Sequence, residues 1–140
     1  MLDAGMAPVT VLKEIDGFLL NRLQFALVTE ALHLVGEGYC SASDINTVMT
    51  QGLALRWASM GPFEVMHLNA AGGVKGFAQN LGAMMRRLGA DARTGYDWTQ
   101  EQIERIHAEM AERIPMDKLP ERQTWRDRRI LATRKMQQGE

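Results

Sequence analysis

Asn21 and Arg22 stand side by side near the start of a long apolar stretch that runs to Val35. A fixed amide N–H can hold a substrate oxygen without titrating, and a guanidinium can hold an anion. An Asn inside an apolar helix is unfavourable by propensity. Once buried, it needs partners for its carbonyl and both amide hydrogens. The residues alone leave two readings of Asn21: it caps a neighbouring loop or pairs with Arg22, or it donates into a cleft. Arg56 is the second candidate, the one charge in the apolar run 53–60. There it either grips a carboxylate in two parallel hydrogen bonds or pairs with Glu64 or Asp44.

The remaining reactive side chains point to no further site. His33, His67 and His107 lack an i,i+4 partner and the three or four ligands that a zinc site needs, so no metal is expected. Cys40 has no neighbour that would plainly lower its pKa, and a single cysteine forms no internal disulfide. The ten methionines read as adaptable core filler. Residues 121–135 hold six basic and two acidic side chains and a single aromatic, Trp125, which is no interleaved platform for base stacking, so they read as a solvated face or a contact with a dimer mate. A basic-tailed nucleic-acid binder is the weaker alternative.

The elements that must position Asn21 and Arg56 are helical. Leu20, Leu23, Leu27, Ala31 and Leu34 recur at steps of three and four, and further apolar residues widen the stripe. The spacing predicts a central helix from Phe18, packed on more than one side and ended by Gly36 and Gly38. Ser41 and Asp44 have capping-box spacing, with Ser43 a competing cap. A short helix from Ile45 to Thr50 follows, closed by Gly52. Pro62 opens the next helix, to Asn69. Val74 to Leu88 forms another, ended by Gly89, and Ala90 to Asp97 is a loop. Thr99 and Gln102 form a second capping box before an amphipathic helix through Ile114. Glu121 to Lys135 is the last helix.

One segment breaks the pattern. Residues 8–12 (Pro-Val-Thr-Val-Leu) read as a strand, yet the chain offers no second strand to pair with it. The expected architecture is all-α, a helical bundle behind one short N-terminal strand. Two segments are expected: residues 1–14 as strand and linker, and 15–140 as the helical domain.

Length and charge bound the rest. The 140 residues and 15.7 kDa fit one domain. A complete two-domain nicotinamide dehydrogenase does not fit. The net charge of −1 draws the chain to neither nucleic acid nor membrane. No apolar run reaches the length of a membrane span, and the first residues lack the basic and apolar regions of a signal peptide. A cytoplasmic location is the expectation.

Several motifs, in order and at matching spacing, resemble a known family. Glu14-x-Asp16-Gly17-Phe18-x-x-Asn21-Arg22-Leu23 comes first, then Glu30-Ala31, Ser43-Asp44-Ile45, Gly52 and Met60-Gly61-Pro62-Phe63-Glu64. Together they resemble the C-terminal half of 3-hydroxyacyl-CoA dehydrogenases. The run 52–63, His67-Leu68-Asn69-Ala70 and Arg122-x-x-Trp125-Arg126-Asp127 resemble the L-gulonate 3-dehydrogenase (lambda-crystallin) branch. The resemblance spans residues 4 to 136.

It implies that the N-terminal half of the enzyme, a Rossmann domain with the nucleotide turn and a His-Glu pair, lies outside this sequence. The strand 8–12 would be the end of that domain. Asn21 would be the active-site amide, steadying the substrate oxygen while a His takes the hydroxyl proton. Arg56 would bind the carboxylate of a hydroxy acid. No cofactor would bind this chain alone, and NAD would belong to the complete enzyme. A homodimer and a Rossmann-domain partner are implied. The substrate stays open among a sugar acid, a free hydroxy acid and an acyl-CoA of fatty acid metabolism. The alternative is a stand-alone, non-catalytic helical module for dimerisation or ligand binding.

Overall fold

A computed structural model describes residues 7–92, 95 and 99–138. Seven α-helices follow one another: α1 (Phe18–Gly36), α2 (Ala42–Val48), α3 (Ala54–Trp57), α4 (Pro62–Leu68), α5 (Gly73–Asp91), α6 (Gln100–Arg113) and α7 (Leu119–Gln138). A π-helical turn, Met49–Leu53, joins α2 to α3, and a 3-10 turn, Met116–Lys118, precedes α7. The all-helical expectation holds.

The centre is a helical hairpin. α1 rises to a reversal at residues 37–41, and α2 returns beside its C-terminal half. Val28, Leu32 and Val35 on the first arm and Ala42, Ile45 and Met49 on the second line one apolar groove of about 290 Å³. Ile106 and Met110 of α6 close that groove. Val35 is the one buried apolar residue among those described, at 6% exposure. α4 and α5 form a second hairpin around the Gly72–Gly73 corner. There Gly76 is required, because a Cβ on it would collide with the Ala71 carbonyl oxygen. α7 leaves residues 121–136 exposed, although its Thr133 and Met136 share an open pocket with residues 57–61 and Glu64.

Four sequence expectations change. Residues 8–12 form no strand: a strand exists through its ladder, and the described residues supply none. Gly52 does not close the second helix. The chain absorbs it in the π turn and continues into α3. α5 runs through Gly89 to Asp91, so part of the expected loop 90–97 is helical, and residues 93–94 and 96–97 lie outside the described residues. A glycine costs a helix only about 1 kcal/mol, which its neighbours can offset. Finally, α1 is covered on several sides only near its C-terminus. Leu20 and Leu23 remain 76% and 71% exposed.

Candidate functional site

The closed end of the hairpin is built on helix-end chemistry. At the C-terminus of α1, Gly38 N–H donates to the Val35 carbonyl (3.1 Å) and Tyr39 N–H to the Leu34 carbonyl (2.9 Å). Arg105 of α6 adds a guanidinium hydrogen bond to the Val35 carbonyl at 3.0 Å. One turn along α6, the Glu109 carboxylate accepts from the N–H groups of Ala42 (3.2 Å) and Ser43 (2.7 Å). Thus α6 sets a cation at the negative end of α1 and an anion at the positive end of α2. Arg113 reaches the Ser43 hydroxyl.

Ser41 completes the corner. Its hydroxyl accepts from Asp44 N–H at 3.0 Å, while its own N–H donates back to the Asp44 carboxylate at 3.0 Å. The expected capping box forms, with Ser41 rather than Ser43 as the cap. These bonds, the Ser41 hydroxyl's first, hold the Asp44 carboxyl below its ordinary range. His33 is buried beside this corner, 3.4 Å from the Glu30 carboxylate, with its ring edge-on to Tyr39. The α6 clamp escaped sequence reasoning, because Arg105 and Glu109 look like an ordinary surface pair at i,i+4.

Both candidate site residues lie away from the reversal. Asn21 lies in the first turn of α1 and Arg56 on α3, and both are exposed. Among the described residues, no hydrogen bond or ion pair joins them. The pairings considered for Arg56 also do not form: Asp44 is held by Ser41, and the Glu64 carboxylate accepts from Gly61 N–H at 2.6 Å. The two residues are equidistant from the reversal along the chain. Asn21 precedes Val35 by fourteen residues, and Arg56 follows Ala42 by fourteen. At helical rise each arm would run about 20 Å, but the groove between the arms is lined only from Leu27 to Val35 and from Ala42 to Met49, so the structure does not bring Asn21 and Arg56 together. The π turn adds a residue to one turn and rotates Arg56 off the groove-facing stripe of α2.

Entry to α1 is irregular as well. Phe18 N–H donates to the Ile15 carbonyl at 3.2 Å, closing a turn over residues 15–18. Gly17 sits at φ 77°, ψ −1°, the third position of a type II turn, where glycine is favoured. The Asp16-Gly17 dipeptide signals such a turn.

The model of the family described as "3-hydroxyacyl-CoA dehydrogenase, C-terminal domain" matches residues 17–124. The chain belongs to this family. The matched span begins at the Gly17 turn and contains both Asn21 and Arg56. Among curated relatives, lambda-crystallin of Oryctolagus cuniculus is 41% identical over 129 residues, covering 91% of this chain and 40% of that protein. The lambda-crystallin homolog of Rattus norvegicus is 39% identical over 138 residues, 97% of this chain and 43% of that protein. An L-carnitine dehydrogenase of Oceanobacillus iheyensis is 38% identical over 109 residues, 78% of this chain and 33% of that protein. The chain therefore spans about 40% of the length of the lambda-crystallin relatives it matches.

Proposed function

We propose that this chain is the C-terminal, substrate-facing half of an NAD-dependent dehydrogenase for 3-hydroxy acids or their acyl-CoA thioesters, working as a homodimer in the cytoplasm. The observation that carries the reading is the family match over residues 17–124, within which stand an exposed amide, Asn21, and an exposed guanidinium, Arg56, that has no ion-pair partner among the described residues. Asn21 donates its amide N–H to the substrate oxygen as charge on that oxygen changes. Arg56 holds the carboxylate in two parallel hydrogen bonds. A small 3-hydroxy acid presents both groups a few bonds apart. The relatives named as lambda-crystallins and an L-carnitine dehydrogenase support this class.

NAD belongs to the other half. The described residues hold no strand and no glycine-rich turn from strand to helix, so nothing in them fits a dinucleotide pyrophosphate. The Rossmann half also brings the proton-accepting His, and this chain is inactive without it. Residues 8–12 would find their strand partner in that domain's sheet.

A second copy supplies the missing cover. The chain exposes 11,649 Å², against roughly 7,300 Å² for a compact monomer of its mass. The excess, about 4,300 Å² per chain, is more than the roughly 1,000–2,500 Å² that each partner of an obligate interface buries, so it leaves area for a nucleotide-binding half as well. Exposed Leu20, Leu23 and Phe25 on α1, and Trp125, Ile130 and Leu131 on α7, supply the apolar area. A reducing compartment suits Cys40, which forms no disulfide. No helix among the described residues is long and apolar enough to cross a membrane.

The test is a native pull-down of the chain from its own cells, read by intact mass. The expected result is a stoichiometric partner carrying Gly-x-Gly-x-x-Gly, or a longer form of this chain that contains it. That assembly should then reduce NAD with L-gulonate, L-carnitine or 3-hydroxybutyryl-CoA. A lone homodimer of the 140-residue chain, or an assembly that binds NADH and turns over none of these, overturns the reading and leaves a binding module.

A further inference from the structure

The joint before α1 is the most strained backbone in the molecule. Gly17 lies at φ 77°, and Phe18 follows at φ 49°, the one non-glycine residue at positive φ among those described. A bulky aromatic in that region is an outlier, costly unless its surroundings hold it there. Nothing in this chain buries Phe18, which is 64% exposed. The strain is therefore not repaid by packing of its side chain here. The joint also has a direct neighbour of interest. A Cβ on Gly17 would stand 3.8 Å from the Asn21 Cβ and 3.5 Å from the Arg22 Cγ. The backbone of the turn thus lies against the root of the Asn21 side chain. No side chain caps this end of α1, so the turn alone sets how its first coil begins.

We propose that the left-handed pair Gly17–Phe18 is a positioning device that fixes the direction of the Asn21 amide. The proposal rests on the reading of Asn21 as the substrate-oxygen donor. Its physical basis is that a donor must meet the reacting oxygen within a few tenths of an ångström, and a misplacement of about 1 Å can cost on the order of 100-fold in rate. The hydrogen bond from Phe18 N–H to the Ile15 carbonyl closes the turn, and glycine meets φ 77° there without the strain a Cβ would add, so the start of the helix is fixed. Room is not the constraint at Gly17, since both distances are ordinary van der Waals contacts. The constraint is φ. Ala and Val are strained at 77°, whereas Asn visits the left-handed region readily.

The experiment compares Gly17→Val, Gly17→Ala and Gly17→Asn with Asn21→Ala, in the assembly recovered with its nucleotide-binding half. Initial rates give kcat and KM separately, and circular dichroism with NADH binding reports the fold of each variant. Gly17→Val should lower kcat about 10- to 100-fold and Gly17→Ala somewhat less, each with KM within about 2-fold. Gly17→Asn should recover most of the wild-type kcat. Should Gly17→Val fail to fold, Gly17→Ala against Gly17→Asn makes the same comparison. Equal kcat in Gly17→Asn and Gly17→Ala overturns the proposal, as does a loss expressed in KM alone. A wild-type rate in Asn21→Ala overturns the parent reading and this one with it. A rate lost in Asn21→Ala but intact in Gly17→Ala and Gly17→Val overturns the positioning role alone.

Discussion

The two ends of the central hairpin solve opposite problems. At the reversal, the termini of α1 and α2 are covered by Ser41, Asp44, Arg105 and Glu109, and the buried His33 and Val35 lie within the same corner. At the far ends of its arms, α1 starts from two left-handed residues, α2 passes through a π turn into α3, and Asn21 and Arg56 stand exposed. One region is made of helix ends tied to partners and the other of exposed side chains. Stability should therefore reside at the reversal and function at the far ends of the arms. Substitutions at the two ends should fall into different measurements.

The largest separation is expected from Asn21→Ala. Loss of one donor to a developing charge typically costs about 100- to 1,000-fold in kcat. Since Asn21 is exposed, the unfolding midpoint of the chain should barely move. A drop in melting temperature as large as that of a core mutant would place Asn21 on the structural side and break the comparison.

Glu109→Ala is the mirror experiment. It leaves two partly buried N–H groups at the start of α2 without their charged acceptor. Hydrogen bonds to charged groups contribute about 1.5–3 kcal/mol, and urea titration should show a loss in that range. Glu109→Gln should retain part of it through its amide oxygen. In the complete enzyme, KM for a carboxylate substrate should stay unchanged, because Arg56 lies two helical segments away.

Val35→Ala sharpens the picture further. Removing two methyl groups from this apolar site should cost about 2 kcal/mol, partly from the cavity left behind. A much smaller loss would mean that the corner is held by its helix-end hydrogen bonds rather than by packing.

What was legible in the sequence divides along the same line. Capping residues act locally, so Ser41 with Asp44 and Thr99 with Gln102 could be read from spacing alone, and both boxes form. Helical periodicity placed α1 within a residue, because its apolar repeat is long. Glycine was a poorer guide. Gly52 and Gly89 look like stops, but each lies inside continuing helix. The strand at 8–12 failed for the opposite reason, since its β-branched residues are real but a ladder needs a second chain segment. Asn21 and Arg56 stand out as polar residues in apolar runs, and the family motifs are what suggest roles for them. The Arg105 and Glu109 clamp depends on contacts more than sixty residues apart, which no local pattern encodes.

The smallest effect concerns Ser41 and pH. Ser41→Ala removes the cap of α2 and should cost about 1 kcal/mol at neutral pH. The same hydroxyl, with the Ser41 N–H, holds the Asp44 carboxyl below its ordinary 3.8. A carboxyl depressed in the folded state adds stability above its unfolded pKa, and that contribution is lost as pH falls through the folded value. Urea midpoints should therefore decline as pH drops from about 5 toward 2, through Asp44 among other carboxylates. Ser41→Ala should flatten part of that decline, because the hydroxyl's share in lowering the Asp44 carboxyl is lost while that of the backbone N–H remains. Asp44→Asn should flatten it similarly, and the double variant should add little further. If the double variant instead adds the two single effects, the serine and the aspartate stabilise the corner separately, and the capping box is a geometric coincidence of two independent bonds.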